Sequence, residues 1–408
     1  MLKIQPATLS QINVIISLPY IIKPIMGLMT DLIPVFGYRR KFYIFLSGIF
    51  IIFGWYLFIF LKPSLLFSST CLFIICFGKS FASVLGEAIV VELSLLKKKI
   101  NNNNENTKNN IITKTDHDAK DYVSMFFLIS TFGYLISSYL QGKIIEIFSL
   151  NTIFFLTSSI GFLIIISGFL YIEKKIEPQN INDNQLINDL IEFIQRKNIY
   201  VPLIFMVIFG SSPSYGQALF YFLTNKLKFI PSDLGIIAMF STFSSLIGIY
   251  LYKQFLKDIK IKKMLLIGTL VLCFLSFASY ILVKRINLIL GINDFIFSLF
   301  GSSITSLIGD FVAMPILSLS AILCPKNLEG TVYSIFMSAN NLGYSIGNLF
   351  GSILTDFFGV THNNFNNLGK LVLTSNFLSL IIIPIIVLIN DEYFTPKEVC
   401  EMKDKFNE

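Results

Sequence analysis

The sequence predicts an all-α polytopic membrane protein laid out as two parallel six-helix repeats, with eleven spans in this chain. Three observations carry that prediction. Of 408 residues, 54% are hydrophobic and only 14% charged, with 42 Phe and a mean hydropathy of +0.71; soluble domains run at about 25% charged. Apolar runs able to cross a hydrocarbon layer of about 30 Å recur between polar breaks. A segment near the start also returns later in the chain, as parallel-repeat transporters do.

Taken in order, the apolar windows are 10–29, 42–61, 65–92, 122–142 and 151–172, then 199–223, 232–252, 264–283, 291–323, 330–356 and 371–390. They divide the chain into an N-terminal half, 1–172, and a C-terminal half, 199–390. A cytoplasmic linker at 173–198 and a cytoplasmic tail at 391–408 complete it. Inside the first half, 97–121 is polar, Asn-rich and low in complexity, and is expected to be a disordered insert. Of the 32 Lys and Arg, only Lys3, Lys62, Lys143, Lys226, Lys228, Lys284, Arg285 and Lys370 fall in one set of loops. Apart from Lys23 and Lys79 within spans, the rest lie in the opposite set, which the positive-inside rule assigns to the cytoplasm together with the C-terminus.

The repeat aligns Lys3 with Lys228, Pro6 with Pro231 and Leu9 with Leu234, each 225 residues apart. Span 199–223 precedes the second copy, and nothing matches it ahead of the first. The chain is therefore expected to lack an opening helix, through truncation or a wrongly placed start codon.

The five cysteines and two histidines show no metal-ligand spacing. No Gly-rich phosphate loop, nucleophile–base set or signal peptide appears, so neither an enzyme nor a cofactor is expected. What remains are charges inside spans: Lys23, Lys79, Glu87, Glu92 and Asp310. A lysine at bilayer depth costs about 2.5–3.5 kcal/mol on insertion scales, so Lys23 needs a cavity or a partner. Glu87 and Glu92 diverge by about 140° around a helix and cannot both face one cation. Two readings stay open: Lys23 and one carboxylate form a structural ion pair, or these five groups line a central cavity as substrate-binding or proton-coupling residues. Ser214, Tyr215 and Gln217, in a span weakened by Pro213, and Asn340 and Asn341 are candidate cavity walls. Helix packing is the competing account, and Gly343, Gly347 and Gly351 form a close-packing stripe.

Gly27, Asp31, Gly37, Arg39 and Arg40 have the logic of a gating loop: a glycine for close approach, an acid at a helix end, and basic residues beyond it. The surrounding stretch, "LPYIIKPIMGLMTDLIPVFGYRRKFY", resembles the folate-biopterin transporter family, a branch of the major facilitator superfamily. "GEAIVVE" at 86–92 is similar to another family segment, with Glu87 where an Asp is usual. "IGDFVAMPILSL" and "LCPKNLEGTVYSIFMSANNLG" match two more, and the likeness runs from Lys3 to Val360. The resemblance implies twelve helices and a secondary transporter of folates or pterins working by alternating access with proton coupling. Carboxylates would meet the pterin edge or the proton, and Lys23 and Lys79 the glutamate tail. The expected partners are that small molecule, protons and the bilayer; a monomer is expected, and no nucleic acid. The same fold carrying another organic solute, or a transport-inactive sensor or scaffold, are the alternatives.

Overall fold

The computed structural model describes residues 4–60, 64–104, 111–173, 175, 183–256, 259–323 and 329–389. Among these the chain is helical, broken by short turns and one isolated bridge between Val35 and Tyr38. The N-terminal half comprises α1 (Pro6–Ile21), α2 (Lys23–Leu32), α3 (Lys41–Phe60), α4 (Leu65–Asn104), α5 (Ile111–Ile147) and α6 (Leu150–Leu170). A linker helix, α7 (Asp183–Ile194), leads to α8 (Lys197–Gly210), α9 (Gly216–Tyr221), α10 (Pro231–Leu251), α11 (Ile261–Val283), α12 (Ile286–Ile289), α13 (Asp294–Leu323), α14 (Glu329–Phe357), α15 (Leu368–Ser379) and α16 (Ile382–Leu388).

Proline accounts for three of the breaks. The expected span 10–29 is two helices hinged at Ile22, because Pro24 has no N–H to give to the Tyr20 carbonyl four residues back. Within the expected span 371–390, Pro384 breaks the ladder in the same way and separates α15 from α16. The expected helix 199–223 is interrupted over 211–215 around Pro213, then resumes as α9 and a π-helical turn, Phe222–Lys226.

Eight helical segments among the described residues are long and apolar enough to cross a membrane, including the paired α1–α2 and α15–α16. The other expected spans, 122–142, 199–223 and 330–356, fall on α5, the broken α8–α9 and α14; α8 is apolar but short, and serines, glycines and asparagines dilute the hydropathy of α14. The segment 97–121 departs from expectation. Helix α4 runs on to Asn104 and α5 begins at Ile111, so helix covers much of what reads as disordered, while 105–110 lie outside the described residues. No Gly or Pro interrupts the sequence there, so nothing stops a helix that a packed stem has already nucleated.

Packing follows the two halves. In the first, α3 lies between α4 and α6, and Met26, Tyr43, Phe81, Val84 and Leu85 close a core in which Tyr43 stacks on Phe81 at 5.6 Å. In the second, Phe205, Met206, Leu265, Val312 and Phe336 join α8, α11, α13 and α14. Leu190 and Phe193 of α7 dock into that same core, which ties the linker to the C-terminal half. Large apolar side chains stay exposed on outer faces, among them Phe162, Leu163 and Phe169 of α6, where a soluble protein would carry charge. Between the halves, α10 lies along α5 and α14 along α1 and α2.

Candidate translocation site and gates

The hinge at Ile22 puts Lys23 in the first turn of α2, directed at α4. Its Nζ donates to Glu87 Oε1 and to Ser83 Oγ, each at 2.9 Å, and Ser83 Oγ donates to the same carboxylate oxygen at 2.6 Å. The lysine and glutamate are 3% and 7% exposed. Glu87 Oε2 is buried with no hydrogen-bond partner, an acceptor left open in an otherwise satisfied cluster. The Tyr20 ring lies 5.8 Å from Lys23 Nζ, a cation–π contact, and Tyr134 of α5 is within electrostatic reach of the Tyr20 hydroxyl. Pro24 acts a second time here: the Tyr20 carbonyl it frees accepts from Ser338 Oγ at 3.2 Å and Asn341 Nδ2 at 3.3 Å, both on α14.

Glu92 stands one and a half turns beyond Glu87 and joins a different cluster. Arg40, 1% exposed, bonds Glu92 Oε1 at 2.6 Å, Asp31 Oδ1 at 2.7 Å and Thr30 Oγ1 at 2.6 Å. Asp31 Oδ2 accepts from the Thr331 backbone N–H at 2.8 Å and from its hydroxyl at 2.6 Å, so an acid of the first half caps α14 of the second. Glu173 Oε1 and Oε2 take the N–H groups of Arg39, Arg40 and Lys41, fixing the start of α3. Gly27 is needed because a Cβ there would sit 2.6 Å from the Gly330 carbonyl oxygen, and Gly37 turns the loop at φ +81°.

At the other end of the molecule the same chemistry recurs. Glu146, in the last turn of α5, accepts from the Ser232 N–H at 2.9 Å in the first turn of α10. Beside it, a Cβ on Gly142 would lie 2.9 Å from the Pro231 carbonyl oxygen, so the backbones of the two halves touch. Hydrogen bonds from Ser232 hold the Glu146 carboxyl below its ordinary range. Tyr221 Oη to the Ile4 carbonyl, and the His362 N–H to Gln5, bridge the halves at this end too.

Of the remaining sequence candidates, Lys79 is exposed and makes no ion pair among the described residues. Asp310 lies on α13, bonded by Ser245 of α10, apart from the Lys23 cluster. Ser214 contributes backbone: its N–H bonds the Gly347 carbonyl at 3.0 Å, and its carbonyl fills the space above Gly351. Tyr215 packs in the adjoining apolar core, and Gln217 and Asn340 are half-buried. Asn341 bonds the Tyr20 carbonyl as above. Sequence reasoning missed Tyr20, Ser83, Glu146 and Glu173; the proline four residues after Tyr20 is the signal that marks its carbonyl. No group of three His, Cys, Asp or Glu side chains arranged for a metal occurs among the described residues.

A profile of the BT1 family matches residues 1–406. The chain belongs to the BT1 family. It is 33% identical over 91% of its length to Folate transporter 1 of Plasmodium falciparum, covering 70% of that protein. It is 30% identical over 95% of its length to the Folate-biopterin transporter of Synechocystis, covering 76%. The likeness read from the Lys23–Pro24 and Glu87 segments is thereby borne out, and this BT1 member is a multi-pass membrane transporter rather than an enzyme. Among solved structures, the nucleoside transporter NupG superposes with a TM-score of 0.60 at 11% identity, over 94% of this chain and 91% of that one. That similarity establishes a major-facilitator-type fold.

Proposed function

We propose that this BT1 protein carries folates or pterins by alternating access, coupled to protons, with Lys23 and Glu87 as the centre of its binding site. The observation that supports the reading best is the open acceptor at Glu87 Oε2, buried beside the Lys23 Nζ–Glu87 Oε1 contact. A pterin edge presents N–H donors that a carboxylate accepts, and Lys23 suits a substrate carboxylate once the pair opens. The relatives named as folate transporters supply the substrate class. Glu92 and Arg40 are assigned to the gate, with the Arg40 end cytoplasmic because the positive charge of the chain gathers on that side.

Alternating access needs one barrier to open as the other holds. Asp31 on the α14 N-terminus and Glu146 on the α10 N-terminus are two such latches, each an acid of one half on a helix of the other. The test is uptake of radiolabelled folic acid by proteoliposomes holding the full chain. Saturable uptake, competed by unlabelled pterin and abolished in a folded Lys23→Gln variant, is expected. Absence of saturable uptake by the unmodified chain would refute the substrate, and undiminished uptake by Lys23→Gln the role of the lysine.

A further inference from the structure

The chain carries its in-span charge site twice, the second time half-buried and with one component deleted. The run Phe77-Gly78-Lys79-Ser80-Phe81-Ala82-Ser83-Val84-Leu85-Gly86-Glu87 leads to the carboxylate of the first half. Phe300-Gly301-Ser302-Ser303-Ile304-Thr305-Ser306-Leu307-Ile308-Gly309-Asp310 leads to that of the second, with Phe, Gly, both Ser, the second Gly and the acid in the same register. The partner helices share a register as well. Helices α1 and α10 each open with a proline in the first turn, Pro6 and Pro231, 225 residues apart. That spacing sets Ser245 where Tyr20 stands and Gly248 where Lys23 stands.

Both halves bring these equivalent positions together. In the first, Lys23 and Tyr20 gather at Glu87. In the second, Ser245 Oγ donates to Asp310 Oδ2, and a Cβ added to Gly248 would lie 3.4 Å from the Asp310 Cβ. The same atom would lie 2.8 Å from the Leu307 carbonyl oxygen, so the glycine that replaces the lysine lets α10 close onto α13. The cation is gone and the carboxylate is kept. No ion pair reaches Asp310 among the described residues; Ser245 is its partner from α10, and Tyr344 of α14 is a titratable group in electrostatic reach of it.

A carboxylate within an apolar span, half-buried and with no cation beside it, is the kind of group that takes up a proton. We propose that Asp310 is the proton-binding group of this carrier, the twin of Glu87 in which a proton takes the place of the lysine. The two halves then divide the work: Glu87 holds a fixed cation that substrate displaces, and Asp310 holds an exchangeable one. Only the coupling of this proton to substrate rests on the transport reading above; the binding of the proton does not.

Infrared difference spectroscopy of the purified full chain in nanodiscs, titrated with acid, reads the site without any substrate. A protonated-carboxyl band that disappears in Asp310→Asn, shifts in Asp310→Glu and persists in Glu87→Gln is expected. A band unchanged in Asp310→Asn overturns the proposal. In proteoliposomes, the fold-stimulation of folic acid uptake by an inward proton gradient should vanish in Asp310→Asn; stimulation equal to that of the unmodified chain overturns it as well. If the unmodified chain moves no folate and the band still depends on Asp310, the substrate assignment falls and the proton site stands.

Discussion

Lys23 shows how one side chain acquires its role from its neighbours. Its ammonium is buried against Glu87 and Ser83, so the cost of placing it at bilayer depth is offset by a pair and not by water. Breaking a buried pair on one side costs about 3–5 kcal/mol when the remaining charge cannot neutralise, whereas removing both partners costs far less. Lys23→Gln and Glu87→Gln should therefore each lower thermal stability, and the double variant should recover most of the loss in a melting assay. Transport should stay lost in the double variant. Full recovery of transport would reduce the pair to a structural strut.

At the scale of elements, the proline after that lysine matters as much as the charge. Pro24 ends α1, and the carbonyl it releases at Tyr20 becomes an acceptor for Ser338 and Asn341 of α14. Pro24→Ala would supply an N–H to that carbonyl and turn it back into α1–α2. Each bond to α14 is worth about 1 kcal/mol. In a double-mutant cycle, Asn341→Ala should cost about that much in the parent chain and almost nothing in the Pro24→Ala background; an equal cost in both would disprove the link. The break around Pro213 was legible in the sequence by the same logic, whereas 371–390 read as one span despite Pro384; which groups the freed carbonyls meet was legible in neither. The helical continuation of α4 and α5 into the Asn-rich segment was not legible, because polar composition signals solvation while the absence of Gly and Pro permits a helix.

For the whole molecule, the two latches make opposite predictions. Asp31→Asn removes the charge that holds the α14 N-terminus at the Arg40 end, and Glu146→Gln does the same for α10 at the far end. Spin-label distances across each end should lengthen at the Arg40 end in the first variant and at the far end in the second. Shifts in the same direction would refute a two-gate arrangement. Acidification adds a check. The Glu146 carboxyl sits below its ordinary range in the closed contact, so closure of that end is supported fully at pH above the ordinary carboxylate value and is lost as pH falls through the lowered one. The far-end distance should grow on acidification in the parent chain and not in Glu146→Gln.

The sequence by itself determined that this chain is a helical membrane transporter with two related halves. Hydropathy, the positive-charge bias and the Lys23–Pro24 and Glu87 segments are local properties that a reader can count. It also determined that Glu87 and Glu92 serve different partners, since helix geometry alone separates them by most of a half-turn. Only the tertiary structure decided which partners those are, Lys23 for one and Arg40 for the other. It alone placed Glu146 on α10, and Gly248 where a lysine would face Asp310. Those facts depend on which faces of distant helices meet, and such contacts arise between residues 52 to more than 80 positions apart, where no local pattern fixes the distance.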